Sequence, residues 1–396
     1  MSDSHPARRR LIFGLVAIFL VLAVFFVVCE VFLRSRHAAD VQALTEKYEA
    51  DRQLVFQKSD RPGRIYQYNP EHVTSNKHGY LGHDWEEEKA EGVYRIVVIG
   101  DSVAAGQGAD WGQQYAWQLE EKLNAVAPSL LEHLGPTAAT TSPDKRFEVL
   151  LLAVTGYSTV QELAVFEQDA YRYDPDLVIW SYVLNDPAHP VYHDASGELA
   201  RYFYKPKSHL LDAMAKTAFG IREKRRIRAR APAGKEWEGN YSSIVEGQGL
   251  MPWNWHKLLA AVYEDEIQDD ILQIRKISQA KAPNVPVIFA IHPIFHDIYD
   301  FDHYAFKKLT NELRKFARDK AKLIPVDLRY AYEGLNQDDV RIQTEKDPAT
   351  NGYFDPWHIN NLGHELVADF LTDFISKGLT DGWDSVRKGI PAPKAK

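Results

Sequence analysis

Apolar and polar positions divide this chain into three stretches of different character. Leu11 to Cys29 is an unbroken apolar run of nineteen residues without a charge. At about 1.5 Å of rise per residue a helix of that length crosses a hydrocarbon core of roughly 30 Å. Residues 38 to about 57 (beginning AADVQALTEKYEADRQLVFQ) turn polar with helical spacing, and Pro62-Gly63 ends them, which predicts a stalk. Beyond it, short apolar runs alternate with amphipathic ones. Strands are expected at Tyr94 to Ile99, Phe147 to Val154, Leu177 to Tyr182, Val285 to Ile291 and Leu323 to Val326. The first is almost continuously apolar, as a parallel strand buried on both faces must be. Helices are expected at Tyr115 to Val126, Thr159 to about Tyr171, Trp255 to Ala282, Asp302 to Lys320, and from near Leu362.

Strands alternating with helices predict an α/β fold of three layers, a flavodoxin-like parallel sheet of about five strands covered on both faces, with an N-terminal transmembrane helix. The expected organisation is a cytoplasmic tip and anchor over 1–33, a stalk over 34–62, an α/β domain over 63–380 with an insertion at 187–254, and a tail at 381–396 that is disordered from Lys388.

Charge sets the orientation of the anchor. Arg8, Arg9 and Arg10 precede the apolar run, and Arg34 and Arg36 follow it with Glu30 between. The positive-inside bias therefore puts the N-terminus in the cytoplasm and the domain outside it, at the periplasm or cell surface. A cleaved signal peptide is the alternative, but its apolar core is usually about 7–15 residues and ends at a small-residue site, for which His37-Ala38-Ala39 is a poor substitute. Cys29 is the single cysteine and lies inside the run, so the exported domain has no disulfide.

A hydrophobic content of 45% with 26% charged residues is that of a globular protein, and a net charge of −8 argues against nucleic acid as a partner. Locally the sign reverses. Ser196 to His256 holds eleven Lys/Arg against six Asp/Glu, including IREKRRIRAR, which reads as a solvated helix or, alternatively, as a surface for anionic headgroups or glycans.

In a doubly wound sheet ligands bind beyond the carboxyl ends of the strands. Those positions here carry Gly100-Asp101-Ser102 after the first strand, Gly156-Tyr157 after the second and Asn185-Asp186 after the third, and Asp355-Pro356-Trp357-His358 precedes the last helix. A serine hydroxyl becomes nucleophilic when an imidazole takes its proton, and a carboxylate fixes the imidazole's tautomer. An Asp and a His three apart converge on one site only through a tight turn, which Pro356 favours.

These four sites, in this order, resemble the four blocks of the SGNH/GDSL hydrolase family over about Tyr94 to Ile375. The resemblance implies Ser102 as nucleophile, His358 as general base and Asp355 as its orienting carboxylate. It implies an oxyanion hole formed by the amides of Ser102 and Gly156 and the side chain of Asn185. Two positions depart from the family pattern: Val183 stands where the third block has glycine, and Leu151 where the second has asparagine.

Other motifs fail. Gly100 to Gly108 lacks the lysine of a P-loop and the spacing of a dinucleotide fingerprint, the surroundings of Ser102 are not a G-x-S-x-G elbow, and no zinc spacing occurs. No metal or organic cofactor is expected. His292 and His296 follow the fourth strand and read as structural or, less simply, as lining the cleft. Trp111, Trp180, Trp253, Trp255 and Trp357 are candidates for stacking on sugars, with Trp357 favoured by its place beside His358.

The expected function is a serine ester hydrolase acting on an O-acyl ester, with O-acetyl favoured, of envelope or exported polysaccharide. Two alternatives stand beside it: an O-acetyltransferase with the same triad, and a catalytically silent glycan-binding scaffold.

Overall fold

The computed structural model describes residues 5–48, 55–131, 145–184, 186, 200, 202–230, 253–295, 304, 306–343 and 354–388. The apolar run and most of the expected stalk form one continuous helix, α1 (His5–Tyr48). Its Arg10–Ala43 part is long and apolar enough to cross a membrane, and none of its apolar window is buried by the rest of the chain.

Residues 55–62 of the expected stalk belong to the domain. Strand β1 (Phe56–Lys58) pairs antiparallel with β2 (Tyr66–Tyr68), and the connection turns through two left-handed residues, Gly63 at φ 83° and Ile65 at φ 69°. Tyr66 and Tyr68 of this hairpin are buried in the main core, with Phe56 stacked on Tyr68 at 5.4 Å.

The central sheet is built from β3 (Val93–Gly100), β4 (Arg146–Ala153), β5 (Leu177–Tyr182), β6 (Val287–Ile291) and β7 (Ile324–Asp327). All neighbouring pairs are parallel and the order is β4-β3-β5-β6-β7, so the chain starts inside the sheet, steps one way, then crosses back and continues the other way. That reversal beside β3 is the topological switch point of an open α/β sheet.

Every residue of β3 is buried, yet its side chains still divide by the period of two. Val97 and Ile99 meet one core with Val165, Phe166, Ile271 and Leu313, which come from α4 (Thr159–Gln168), α6 (Trp253–Lys281) and α7 (Lys307–Asp319). Ile96 and Val98 meet the other core with Leu119, Leu123, Val367 and Leu371. These come from α3 (Tyr115–Leu131) and α9 (Asn361–Asp381).

The described part of the insertion is dominated by α5 (His209–Arg230), which carries the basic run. Its first turn is docked on α1. Glu30 accepts from the Ser208 hydroxyl at 2.9 Å and from the amides of His209 and Leu210 at 3.0 and 2.9 Å, satisfying donors a helix start leaves free.

After α9 the chain does not pass into a tail at residue 381. A further helix, α10 (Trp383–Lys388), buries Val386, and a Cβ on Gly378 would lie 2.3 Å from the Trp383 ring, so the two helices are in intimate contact. The domain therefore continues past the boundary expected at 380. The residues after Lys388 lie outside those described.

Candidate active site

Strand β3 ends at Gly100, where a Cβ would fall 2.7 Å from Ala104 and 2.9 Å from the Ser181 side chain, so only glycine lets the chain turn this closely. Asp101 then accepts the Val103 amide at 2.9 Å and starts α2 (Ser102–Ala105), a single turn that Gly106 closes at φ 84°. This strand-turn-helix sets Ser102 at the carboxyl edge of the sheet, 7% exposed.

The opposite wall follows a single helical turn, α8 (Gln337–Val340), and comes from a two-stranded ribbon, β8 (Arg341–Gln343) with β9 (Phe354–Ile359), that leads into α9. Within β9, Asp355 Oδ1 accepts the amides of Trp357 and His358 at 2.8 and 2.9 Å. This is the tight turn that the Asp-to-His spacing demands, and it leaves Oδ2 free to meet His358 Nδ1 at 2.7 Å. His358 Nε2 in turn lies 2.8 Å from Ser102 Oγ. The three side chains expected to act together thus form one hydrogen-bonded line.

Burial pushes the Asp355 carboxyl up. The hydrogen bond and charge of His358 and the two amides outweigh it, and the group sits below its ordinary value. It therefore stays an anion beside the imidazole. Asp101, in contrast, is raised by burial. Its Oδ2 lies 3.3 Å from Ser102 Oγ, a longer and poorer acceptor than His358.

Of the expected oxyanion donors, Gly156 follows β4 at φ 77°, a conformation that L side chains rarely adopt. The hairpin clasps the residue before it. Tyr66 donates its hydroxyl to the Thr155 carbonyl at 3.1 Å, and Tyr68 Oη accepts the Thr155 amide at 3.1 Å and meets the Thr155 hydroxyl at 3.0 Å. Tyr157 donates back to the Tyr66 carbonyl at 2.6 Å.

Asn185 lies outside the described residues. Its neighbours frame a tight turn, with Asp186 accepting the Val183 amide at 2.6 Å and donating its own amide to the Val183 carbonyl at 3.0 Å. Val183 and Leu151, the two departures from the family pattern, are both buried in the core.

His292 does not line a cleft. It is 2% exposed, bonded through Nε2 to Ser181 Oγ at 2.8 Å, and burial pushes it down to about 3, so it is a neutral core histidine. His364 is similar, pushed down to about 3 by burial and then by the charge of His358. His296 and the side chains of Trp253 and Trp255 lie outside what is described. Trp180 is buried and donates to Glu162 at 2.9 Å, which removes it as a stacking surface. Trp357 is half-buried against the core beside the site, and Trp111 is exposed. Among the described residues, no group of three or more His, Cys, Asp or Glu side chains is arranged to hold a metal ion.

Tyr66 and Tyr68 were not among the sequence candidates. The signal available was the alternation Tyr66-Gln67-Tyr68, two aromatics on one face of a strand, just beyond the expected end of the stalk.

The sequence matches no protein-family model and no curated protein. Solved structures with a similar chain course include an α/β hydrolase from the metagenome of Lake Arreo, Spain. That protein is 12% identical, with 72% of this chain and 96% of that one covered at a TM-score of 0.39. An acetyl-xylooligosaccharide esterase from Geobacillus stearothermophilus is 15% identical over 72% and 94% of the two chains at 0.38. A psychrotrophic esterase from Pseudoalteromonas is 13% identical over 72% and 98% at 0.34.

Proposed function

We propose that this chain is a serine esterase. The observation that carries the reading is the continuous line from Asp355 Oδ2 through His358 to Ser102 Oγ, with links of 2.7 and 2.8 Å. A hydroxyl so placed gives its proton to Nε2 as its oxygen attacks an ester carbonyl. The imidazolium is stabilised by the Asp355 anion and returns the proton to the leaving alkoxide. Water then enters by the same route in reverse, His358 taking its proton, and the acid is released from Ser102. The amides of Ser102 and Gly156 and the side chain of Asn185 are assigned to the oxyanion, where each donor is worth about 2.7–4 kcal/mol.

The substrate we assign is an O-acyl ester, with acetyl favoured, on envelope or exported polysaccharide. Its support is positional: three arginines precede the apolar helix, and the positive-inside bias favours a domain outside the cytoplasm. Polysaccharide is an abundant ester-bearing polymer there.

The test is to treat the full-length protein in detergent with an active-serine phosphonate and map the modified peptide. Label on Ser102, lost in Ser102→Ala, is the expected result. No label on Ser102 in folded protein would leave the silent-scaffold alternative. Orientation is tested separately by protease added to intact spheroplasts. Removal of the domain is expected, and full protection until lysis would reverse the topology.

A further inference from the structure

The clasp around Thr155 has a consequence for the neighbouring amide. Tyr66 Oη binds the Thr155 carbonyl, and that carbonyl belongs to the same planar peptide unit as the Gly156 N–H. In a trans peptide the C=O and N–H point in opposite directions, and no cis bond occurs among the described residues. A donor fixed on the carbonyl side therefore fixes the direction of the N–H on the other. Glycine at φ 77° cannot hold that plane by its own sterics, since it is the residue with the widest conformational freedom. The orientation has to be imposed from outside.

We infer that Tyr66 is a positioning residue for the oxyanion hole, aiming the Gly156 amide through the shared peptide plane. This rests on the esterase reading and on Gly156 as an oxyanion donor.

Several features suit Tyr66 to the task. It is fully buried, so water does not compete for its hydroxyl, and burial pushes its ionisation well above the ordinary range, which keeps the O–H a donor. Its own backbone is held by Tyr157, the residue on the far side of Gly156, so the loop and the strand brace each other from both ends. A Cβ on Gly156 would lie 2.9 Å from Tyr66 Oη, which shows how closely the hydroxyl sits over that residue. An accepted hydrogen bond at the carbonyl also polarises the peptide and strengthens its N–H as a donor.

The clasp also explains why the hairpin is buried in the domain. The hairpin thereby belongs to the acyl-transfer site.

The test compares Tyr66→Phe with wild type on a small aryl acetate, in the full-length protein. Because Phe keeps the ring, only the hydroxyl is lost. A loosened donor should lower kcat about tenfold, part of the 10²–10³ that loss of a whole donor costs, with KM within about twofold. Tyr94→Phe serves as the control: Tyr94 is also buried, but its hydroxyl reaches the Asp176 carbonyl, 3.4 Å away, near the opposite end of β3. Wild-type kcat in Tyr66→Phe, or an equal fall in Tyr94→Phe, would overturn the inference. If Tyr66→Phe does not fold, Tyr157→Phe decides, because it releases the backbone that holds Tyr66 in place: a fall in kcat at unchanged KM supports the inference and wild-type kcat overturns it. An active, phosphonate-labelled wild type with an unaffected Tyr66→Phe sinks only this inference. An unlabelled and inactive wild type sinks the esterase reading, and this with it.

Discussion

His358 Nε2 lies 2.8 Å from Ser102 Oγ although 256 positions separate the two residues. No local preference brings them together. The serine is placed by the end of β3 and the histidine by the ribbon that precedes α9, so their approach depends on the docking of that ribbon. Asn360 helps by accepting the Gly363 amide at 3.0 Å as the N-cap of α9 and donating to the Asp339 carbonyl at 2.9 Å.

The first prediction concerns that line of side chains. Ser102→Ala and His358→Ala are each expected to abolish turnover of an aryl acetate, and Asp355→Asn to lower kcat by about 10⁴, because the amide presents the wrong tautomer to the ring. Melting temperatures should stay close to wild type for Ser102→Ala, which removes no core packing. Substantial activity retained by purified Ser102→Ala would mean that another residue is the nucleophile.

A second prediction follows from a clamp between the loops behind the two residues. Asn361 accepts the Asp110 amide at 2.8 Å and donates to the Asp110 carboxylate at 2.7 Å, tying the loop after Ser102 to the start of α9. These bonds are exposed and so contribute little to folding, about 0.5–1.5 kcal/mol each. They do hold the nucleophile and base loops in register. Asn361→Ala should therefore lower kcat several-fold while the melting temperature moves little, as assayed by steady-state kinetics and a thermal shift on one preparation. Unchanged kcat would show that the ribbon alone sets the distance.

The sheet was legible because its strands are buried on both faces. A run as short as Leu177–Tyr182, nearly all apolar and preceded by the turn Asp174-Pro175-Asp176, fits a strand buried on both faces better than a helix, and that strand has the bounds its pattern predicts. The Asp355–His358 pair was also legible, since three-residue spacing within one turn is a local property. The hairpin was not, because three-residue strands carry too little periodicity to separate from a polar stalk. Nor was the role of Tyr66, whose partner is 89 positions away. His292 shows the opposite limit: a position just beyond a strand end suggests a cleft, but Ser181 and Tyr115 enclose it, and sequence does not record which strand-end residues are covered.

A third prediction tests the junction between anchor and insertion. Glu30 caps α5 with two backbone bonds and the Ser208 hydroxyl, in the way a side-chain oxygen usually caps a helix from within its own chain segment. Removing such a cap costs about 0.5–2 kcal/mol. In Glu30→Ala, hydrogen exchange should quicken in the first turn of α5 while β3 and β5 keep their protection. Equal exchange in both proteins would mean that α5 does not depend on α1 for its start.

The last prediction concerns pH. Asp270 on α6 is partly exposed as a residue, but its carboxyl Oδ2 is buried; burial, then the charge of Glu266, pushes the group up to about 8. Glu162 and Asp186 are likewise pushed well above the carboxylate range, chiefly by burial. In the unfolded chain Asp270 ionises near its ordinary value of 3.8. Between that value and about 8 the folded state therefore binds more protons than the unfolded one, and stability must fall as pH rises across the window, then level off. Asp270→Asn removes this dependence because the amide does not ionise. Its stability relative to wild type should rise between pH 5 and pH 8 by about 2–4 kcal/mol, at roughly 1.4 kcal/mol for each tenfold change in proton affinity. Thermal unfolding of both proteins in detergent at the two pH values measures the difference. A gap between variant and wild type that is the same at pH 5 and pH 8 would mean that Asp270 is ionised in the folded protein throughout, and that solvent reaches its carboxylate.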